Sequence, residues 1–134
     1  MLVRWGSTVN FLGGYVLTLM EQRRLFQTEV HNRLGRLQSK DDAPAAVTSS
    51  GTKIWYINGI PHRENGPTVE TSKGGKIWYQ HGFKHRIDGP AVENSDGRQE
   101  WWLNGKLHRI GGPAITAVSG NKYWFVSGVA HQDS

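Results

Sequence analysis

Four tryptophans, Trp55, Trp78, Trp101 and Trp124, stand 23 residues apart, and three further residue types keep the same step. Gly59, Gly82, Gly105 and Gly128 form one column, and His62, His85, His108 and His131 a second. Pro44, Pro67, Pro90 and Pro113 form a third. Columns in one register define an internal repeat, which commits the chain to stacking similar units that touch mainly their neighbours. Framed from the His-Arg position, the units are 39–61, 62–84, 85–107 and 108–130. Ser39-Lys40-Asp41-Asp42-Ala43-Pro44 fills the place that His85-Arg86-Ile87-Asp88-Gly89-Pro90 takes later. Such degeneracy is expected of a terminal cap.

The chemistry of one unit predicts a hairpin. Lys76-Ile77-Trp78-Tyr79 is β-branched and aromatic and reads as a strand. Asn58-Gly59 and Asn104-Gly105 follow the equivalent strands and suit a tight turn in which both residues take φ > 0. His81-Gly82 and Ser127-Gly128 are weaker forms of that pair. Proline after glycine belongs at a strand start or sheet edge, because it lacks a donor. Ala91-Val92-Glu93 reads as a second strand, and Ser95-Asp96-Gly97 turns the chain towards the next tryptophan. The expectation is a mainly-β fold: an antiparallel meander of four 23-residue hairpin repeats spanning residues 39–134.

Alternation puts Trp55, Trp78, Trp101 and Trp124 on one face and Tyr56, Tyr79, Trp102 and Phe125 on the other. Both faces are apolar enough to call for a cover. Residues 1–38 are the candidate, since Val9, Leu12, Val16, Leu19, Phe26, Val30 and Leu37 follow a three–four spacing. That spacing predicts a helix from about Tyr15 to Leu34, capped near Ser7 or Thr8 and weakened by Gly13-Gly14. It would pack on the sheet or close its first edge; alternatively it would form a homo-oligomer through the same seam.

Composition narrows the classes. Glycine supplies 17 of 134 residues and tryptophan 6, which fits short strands separated by turns. With no cysteine, a disulfide scaffold, a thiolate zinc site and a cysteine nucleophile are excluded. The net charge of +5 is spread along the chain, with six basic and four acidic residues in 1–50 and ten and seven in 51–134. A dedicated nucleic-acid binder would more often show a dense basic stripe. The apolar run Val9–Met20 is shorter than the roughly 20 residues of a membrane span, and no small-residue cleavage site follows it. The expected location is the cytosol, or an assembly of chains made there.

The motif Trp-Tyr-x-Asn-Gly-x-x-His-Arg-x-x-Gly-Pro-Ala, best seen in Trp101-Trp102-Leu103-Asn104-Gly105-Lys106-Leu107-His108-Arg109, resembles repeat proteins of phage and giant-virus genomes. More loosely it is similar to the MORN repeat, a glycine-punctuated hairpin unit of similar length. The resemblance covers residues 39–131 and implies a viral, non-enzymatic repeat module. The Tyr-x-Gly start of MORN repeats is absent, so their phospholipid and scaffold roles do not transfer.

The His-Arg column is the sharpest chemical feature: His62-Arg63, His85-Arg86 and His108-Arg109, with His131 alone. A row of arginines binds phosphates or acidic protein surfaces. The structural alternative pairs each arginine with a carboxylate such as Glu64, Asp88 or Glu93 and sets each histidine on a turn or a tryptophan. Equivalent residues in successive hairpins lie about 10 Å apart, too far for one metal ion to bridge two of the column's histidines. His81 and His85, with Asp88 nearby, flank one turn, but a His-x3-His pair is a metal signal mainly on a helix. No metal site and no cofactor are expected.

Gly-x-Ser-x-Gly and Walker motifs are absent, and no pair of carboxylates is arranged as acid and base. No catalytic residue is assigned. The candidate binding residues are Tyr56, Tyr79, Trp102, Phe125, Arg63, Arg86 and Arg109. The expected function is docking on a host protein as a blocking effector, antiviral defence included. The alternatives are a virion or assembly component anchored by the N-terminal helix, and a nucleic-acid or anionic-lipid binder using the His-Arg column.

Overall fold

A computed structural model describes residues 9–12, 15–18 and 26–132. Every element among them is a strand or turn, and none is helical. The helix expected over Tyr15–Leu34 lies partly on residues 19–25, outside the described residues. Where that stretch is described, strands take its place. Strand β1 (Val9–Leu12) pairs with β2 (Tyr15–Thr18), and β3 (Phe26–Glu29) joins the main sheet, with Glu29 opposite Ala46. The next strand has an open ladder of amides and carbonyls there, and pairing with it overrides a three–four spacing that has little helix propensity behind it.

The main sheet is an antiparallel meander of ten strands among the described residues. After β3 come β4 (Ala46–Thr48) and β5 (Lys53–Ile54), then β8 (Val69–Glu70) and β9 (Lys76–Ile77). β12 (Val92–Glu93), β13 (Gln99–Glu100), β16 (Ile115–Thr116), β17 (Lys122–Val126) and β18 (Val129–His131) complete it. Its hairpins turn on a recurring loop. Thr71 N–H donates to the Gly75 carbonyl and Gly74 N–H to the Thr71 carbonyl, and the same two bonds recur at Thr48, Asn94 and Ala117.

Between β5 and β8, β9 and β12, and β13 and β16, the chain leaves the sheet as a small ribbon. The ribbons are β6 (Tyr56–Ile57) with β7 (Ile60–Pro61), β10 (Tyr79–Gln80) with β11 (Phe83–Lys84), and β14 (Trp102–Leu103) with β15 (Lys106–Leu107). The departure point is the tryptophan. Trp78 N–H donates to the Ala91 carbonyl in the sheet at 2.8 Å, while its own carbonyl accepts from His85 N–H in the ribbon at 3.1 Å. Trp55 and Trp101 divide their bonds in the same way. Each ribbon ends on a two-residue turn with both φ values positive, Asn58 at 52° and Gly59 at 81° for example. His81-Gly82, Asn104-Gly105 and Ser127-Gly128 adopt the same geometry, as the sequence predicts.

The buried interior is thin. Ala45, Thr68, Ala91 and Ala114, each following a column proline, are fully buried, as is Ala46, with Trp55, Val92 and His62 close to it. The backbones of Ala45, Thr68 and Ala114 bond on both sides: Thr68 donates to the Ile77 carbonyl and accepts from Trp55. No helix among the described residues covers either face.

Candidate binding surface: the repeated columns and the ribbon tips

In each of three repeats the arginine folds back over its own tryptophan. The guanidinium carbons of Arg63, Arg86 and Arg109 sit 3.7, 3.7 and 4.0 Å from the ring centroids of Trp55, Trp78 and Trp101. Nη1 of each then donates to the carbonyl of the proline four residues on: Pro67 at 3.0 Å, Pro90 at 3.0 Å and Pro113 at 3.1 Å. The glycine before that proline is required by the same contact. A Cβ on Gly112 would lie 2.6 Å from the Arg109 guanidinium carbon, and one on Gly89 2.9 Å from that of Arg86. Trp, Arg and Gly-Pro are therefore one clamp, worth roughly 0.5–2 kcal/mol in cation–π attraction alone.

Carboxylates complete two of the clamps. Glu70 meets Arg63 Nη1 at 3.2 Å and Glu93 meets Arg86 Nη1 at 3.0 Å. Asp42 takes Arg63 Nε and Nη2 in a two-pronged pair at 3.0 and 3.1 Å. That hydrogen bond to Arg63 is the main reason the Asp42 carboxyl is held below its usual range. Asp88 pairs with Arg86 at 3.4 Å. The Arg63 and Arg86 side chains are only 13% and 25% exposed, so two of the arginines proposed from sequence as binding residues are engaged within the fold.

The histidines latch one ribbon to the next. Nδ1 of His62 accepts from His81 N–H at 3.3 Å, Nδ1 of His85 from Asn104 N–H at 3.0 Å, and Nδ1 of His108 from Ser127 N–H at 2.9 Å. In every case the donor is the first residue of the next ribbon's turn, 19 residues on. An accepting Nδ1 places the ring proton on Nε2, which for His62 faces Glu64 Oε2 at 2.6 Å. Gln38 does the same work at the start of the array, its Oε1 accepting from Asn58 N–H at 2.8 Å. The His81 ring lies 5.0 Å from that of His62, and His85 turns its Nδ1 to Asn104.

Tyr56, Tyr79 and Trp102 in the ribbons and Phe125 in β17 are half-buried. Trp102 Nε1 donates to Glu100 Oε1 at 2.8 Å, and Lys84 Nζ lies 4.8 Å from the Trp102 ring centroid. Burial opposes the Glu100 charge, but hydrogen bonds from Arg98 and Trp102 outweigh it and hold this carboxyl below its usual range. Burial also pushes the Tyr56 hydroxyl up, with smaller contributions from Glu29 and Tyr79.

Several large apolar side chains stand open at ribbon tips and loop crests. Ile57 pairs across the turn with Ile60, and Gln80 with Phe83; Ile60 is 48% and Phe83 59% exposed. Ile87 and Ile110, which follow the clamp arginines, are 81% and 74% exposed. Sequence reasoning did not single out these residues. Their signal is that the positions two and five after each tryptophan vary (Ile57, Gln80, Leu103, Val126; Ile60, Phe83, Lys106, Val129) while the columns beside them do not. The Gly-Pro-Ala end of the motif is visible in the sequence, but the full burial of Ala45, Ala91 and Ala114 and the contact of the glycine with the arginine are not.

These contacts define the chain as a mainly-β stack of hairpins, clamped by Arg on Trp and latched from ribbon to ribbon by histidine. Compared with known proteins, it matches no family model, no curated protein and no solved structure.

Proposed function

We propose that this chain is a non-enzymatic, MORN-like repeat module of four hairpin units that binds another protein through its ribbon tips. The observation behind this reading is a division of labour along the 23-residue period. Positions that keep one residue type are consumed by clamp, latch and turn, whereas the exposed tip positions vary and are mostly apolar. Apolar side chains held out on a regular scaffold suit protein recognition. Tyr56, Tyr79, Trp102 and Phe125 adjoin the tip positions in sequence. The resemblance to phage and giant-virus repeats supports the finer reading, an effector that blocks a host protein. Against binding of nucleic acid or anionic lipid through the whole column stands the engagement of Arg63 and Arg86 with carboxylates.

The test is quantitative affinity capture from cells expressing the wild-type chain beside a variant carrying Ile57→Ser, Ile60→Ser and Phe83→Ser. The reading expects a protein captured near stoichiometrically by the wild type and lost from the variant, with both chains folded by circular dichroism. Equal capture by the two chains overturns it.

A further inference from the structure

The last clamp of the array is incomplete in two ways. Arg109 occupies the same place on Trp101 and Pro113 as its counterparts on their own rings, but the position of Glu70 and Glu93 is taken by Thr116. The position of Asp88 is Gly111, and Asp88 itself, the counterpart of Asp42 two units earlier, pairs with Arg86. Among the described residues Arg109 has no carboxylate within ion-pair distance. The next tryptophan, Trp124, also lacks its cation, because the residue after His131 is Gln132 where the other units have arginine.

Arg109 and Trp124 line one groove of about 550 Å³, together with Ile110, Pro113, Val126 and His131. The equivalent groove two units earlier, between Arg63 and Trp78, is about 360 Å³, and there Arg86, Ile87 and Asp88 form part of the lining. The larger groove joins a stacked, positioned guanidinium to an apolar and aromatic wall. The molecule also shows what such an arginine accepts, since Glu70 and Glu93 each place one carboxylate oxygen on Nη1.

We infer that this groove docks an acidic segment of a partner protein, with a glutamate or aspartate side chain on Arg109 and a neighbouring aliphatic side chain on Trp124. The assignment rests on the protein-binding reading above and names the chemistry of the segment. A carboxylate is favoured by the charge of Arg109, and the aliphatic neighbour by Ile110 and Val126.

The test uses the full chain and a capped, fluorescently labelled peptide, Gly-Ser-Leu-Glu-Leu-Ser-Gly, beside the same peptide with glutamine for glutamate. Anisotropy is expected to show the glutamate peptide binding about fivefold or more tightly than its glutamine twin. Thr116→Glu supplies the carboxylate that the other clamps contain and is expected to abolish that preference, whereas Thr116→Gln keeps it. This pair avoids substituting Arg109, whose loss could unfold the unit. Equal affinity of the two peptides, or a Thr116→Glu chain that still discriminates between them, overturns the inference. So does a single-stranded oligonucleotide that displaces the peptide at equal charge and binds Thr116→Glu as well as Thr116→Gln. Any of these results leaves the ribbon-tip reading standing, because Ile57, Ile60 and Phe83 lie outside the groove; loss of capture in the tip variant alone leaves the groove standing.

Discussion

The guanidinium carbon of Arg86 rests 3.7 Å from the Trp78 ring centroid, and its Nη1 donates to the Pro90 carbonyl at 3.0 Å. Arg86→Lys keeps the charge but loses the flat fork that stacks and bonds at once. It is expected to cost about 1–2 kcal/mol in urea unfolding. A cost below about 0.3 kcal/mol, the range of an ordinary surface change, would mean the clamp does not hold the unit together.

Gly112 tests the same clamp from its other side. A methyl group there meets the Arg109 guanidinium carbon at 2.6 Å, so Gly112→Ala must lift the arginine from Trp101. The expected penalty is about 1–3 kcal/mol, with a change in tryptophan fluorescence. Gly97→Ala provides a comparison, since its penalty comes only from a φ of 98° in open space. Unchanged fluorescence in Gly112→Ala would show that the contact is absent in solution.

The histidine latch predicts that shape matters less than an acceptor. Gln38 already fills this role at the start of the array, so His85→Gln should stay within about 0.5 kcal/mol of wild type. His85→Leu leaves the Asn104 amide without its partner and should cost about 1 kcal/mol or more. Thermal unfolding separates the two. Equal losses would assign the histidine to packing.

Acid sensitivity should trace to Glu100. Burial raises its proton affinity, yet the bonds from Arg98 and Trp102 lower it further, so the folded carboxyl titrates below its ordinary value of 4.5. The unfolded chain then binds a proton first. The stability from this pair is therefore full above the unfolded value and drains away as pH falls through the folded one. Glu100→Gln should flatten that part of the stability–pH curve. A curve of the same slope in both chains would place the acid dependence elsewhere.

Much of the architecture was legible because its determinants are local. Asn58-Gly59 and Asn104-Gly105 define a turn within two residues, and Lys76-Ile77-Trp78-Tyr79 defines a strand within four. The candidate site was read less well. Arg63 and Arg86 look free in a linear motif, and only their return onto Trp55 and Trp78 shows them occupied from within. Ile60 and Phe83 carry no mark in the linear motif, and only the ribbon shows them held out, 48% and 59% exposed.

By itself, the sequence determined the 23-residue period, the turns and the antiparallel order of the strands, since these follow from backbone preferences repeated unit after unit. The tertiary structure alone decided three other things. It broke each inner strand at its tryptophan, whose N–H and carbonyl go to different neighbours. It set Phe26–Glu29 as a strand against Ala46–Thr48, where an open sheet edge outweighed a helical spacing. And it gave the histidines their task, since His85 meets Asn104 only when the next ribbon has stacked beside it. Contacts between ribbons are created by stacking, and no single ribbon's sequence contains them.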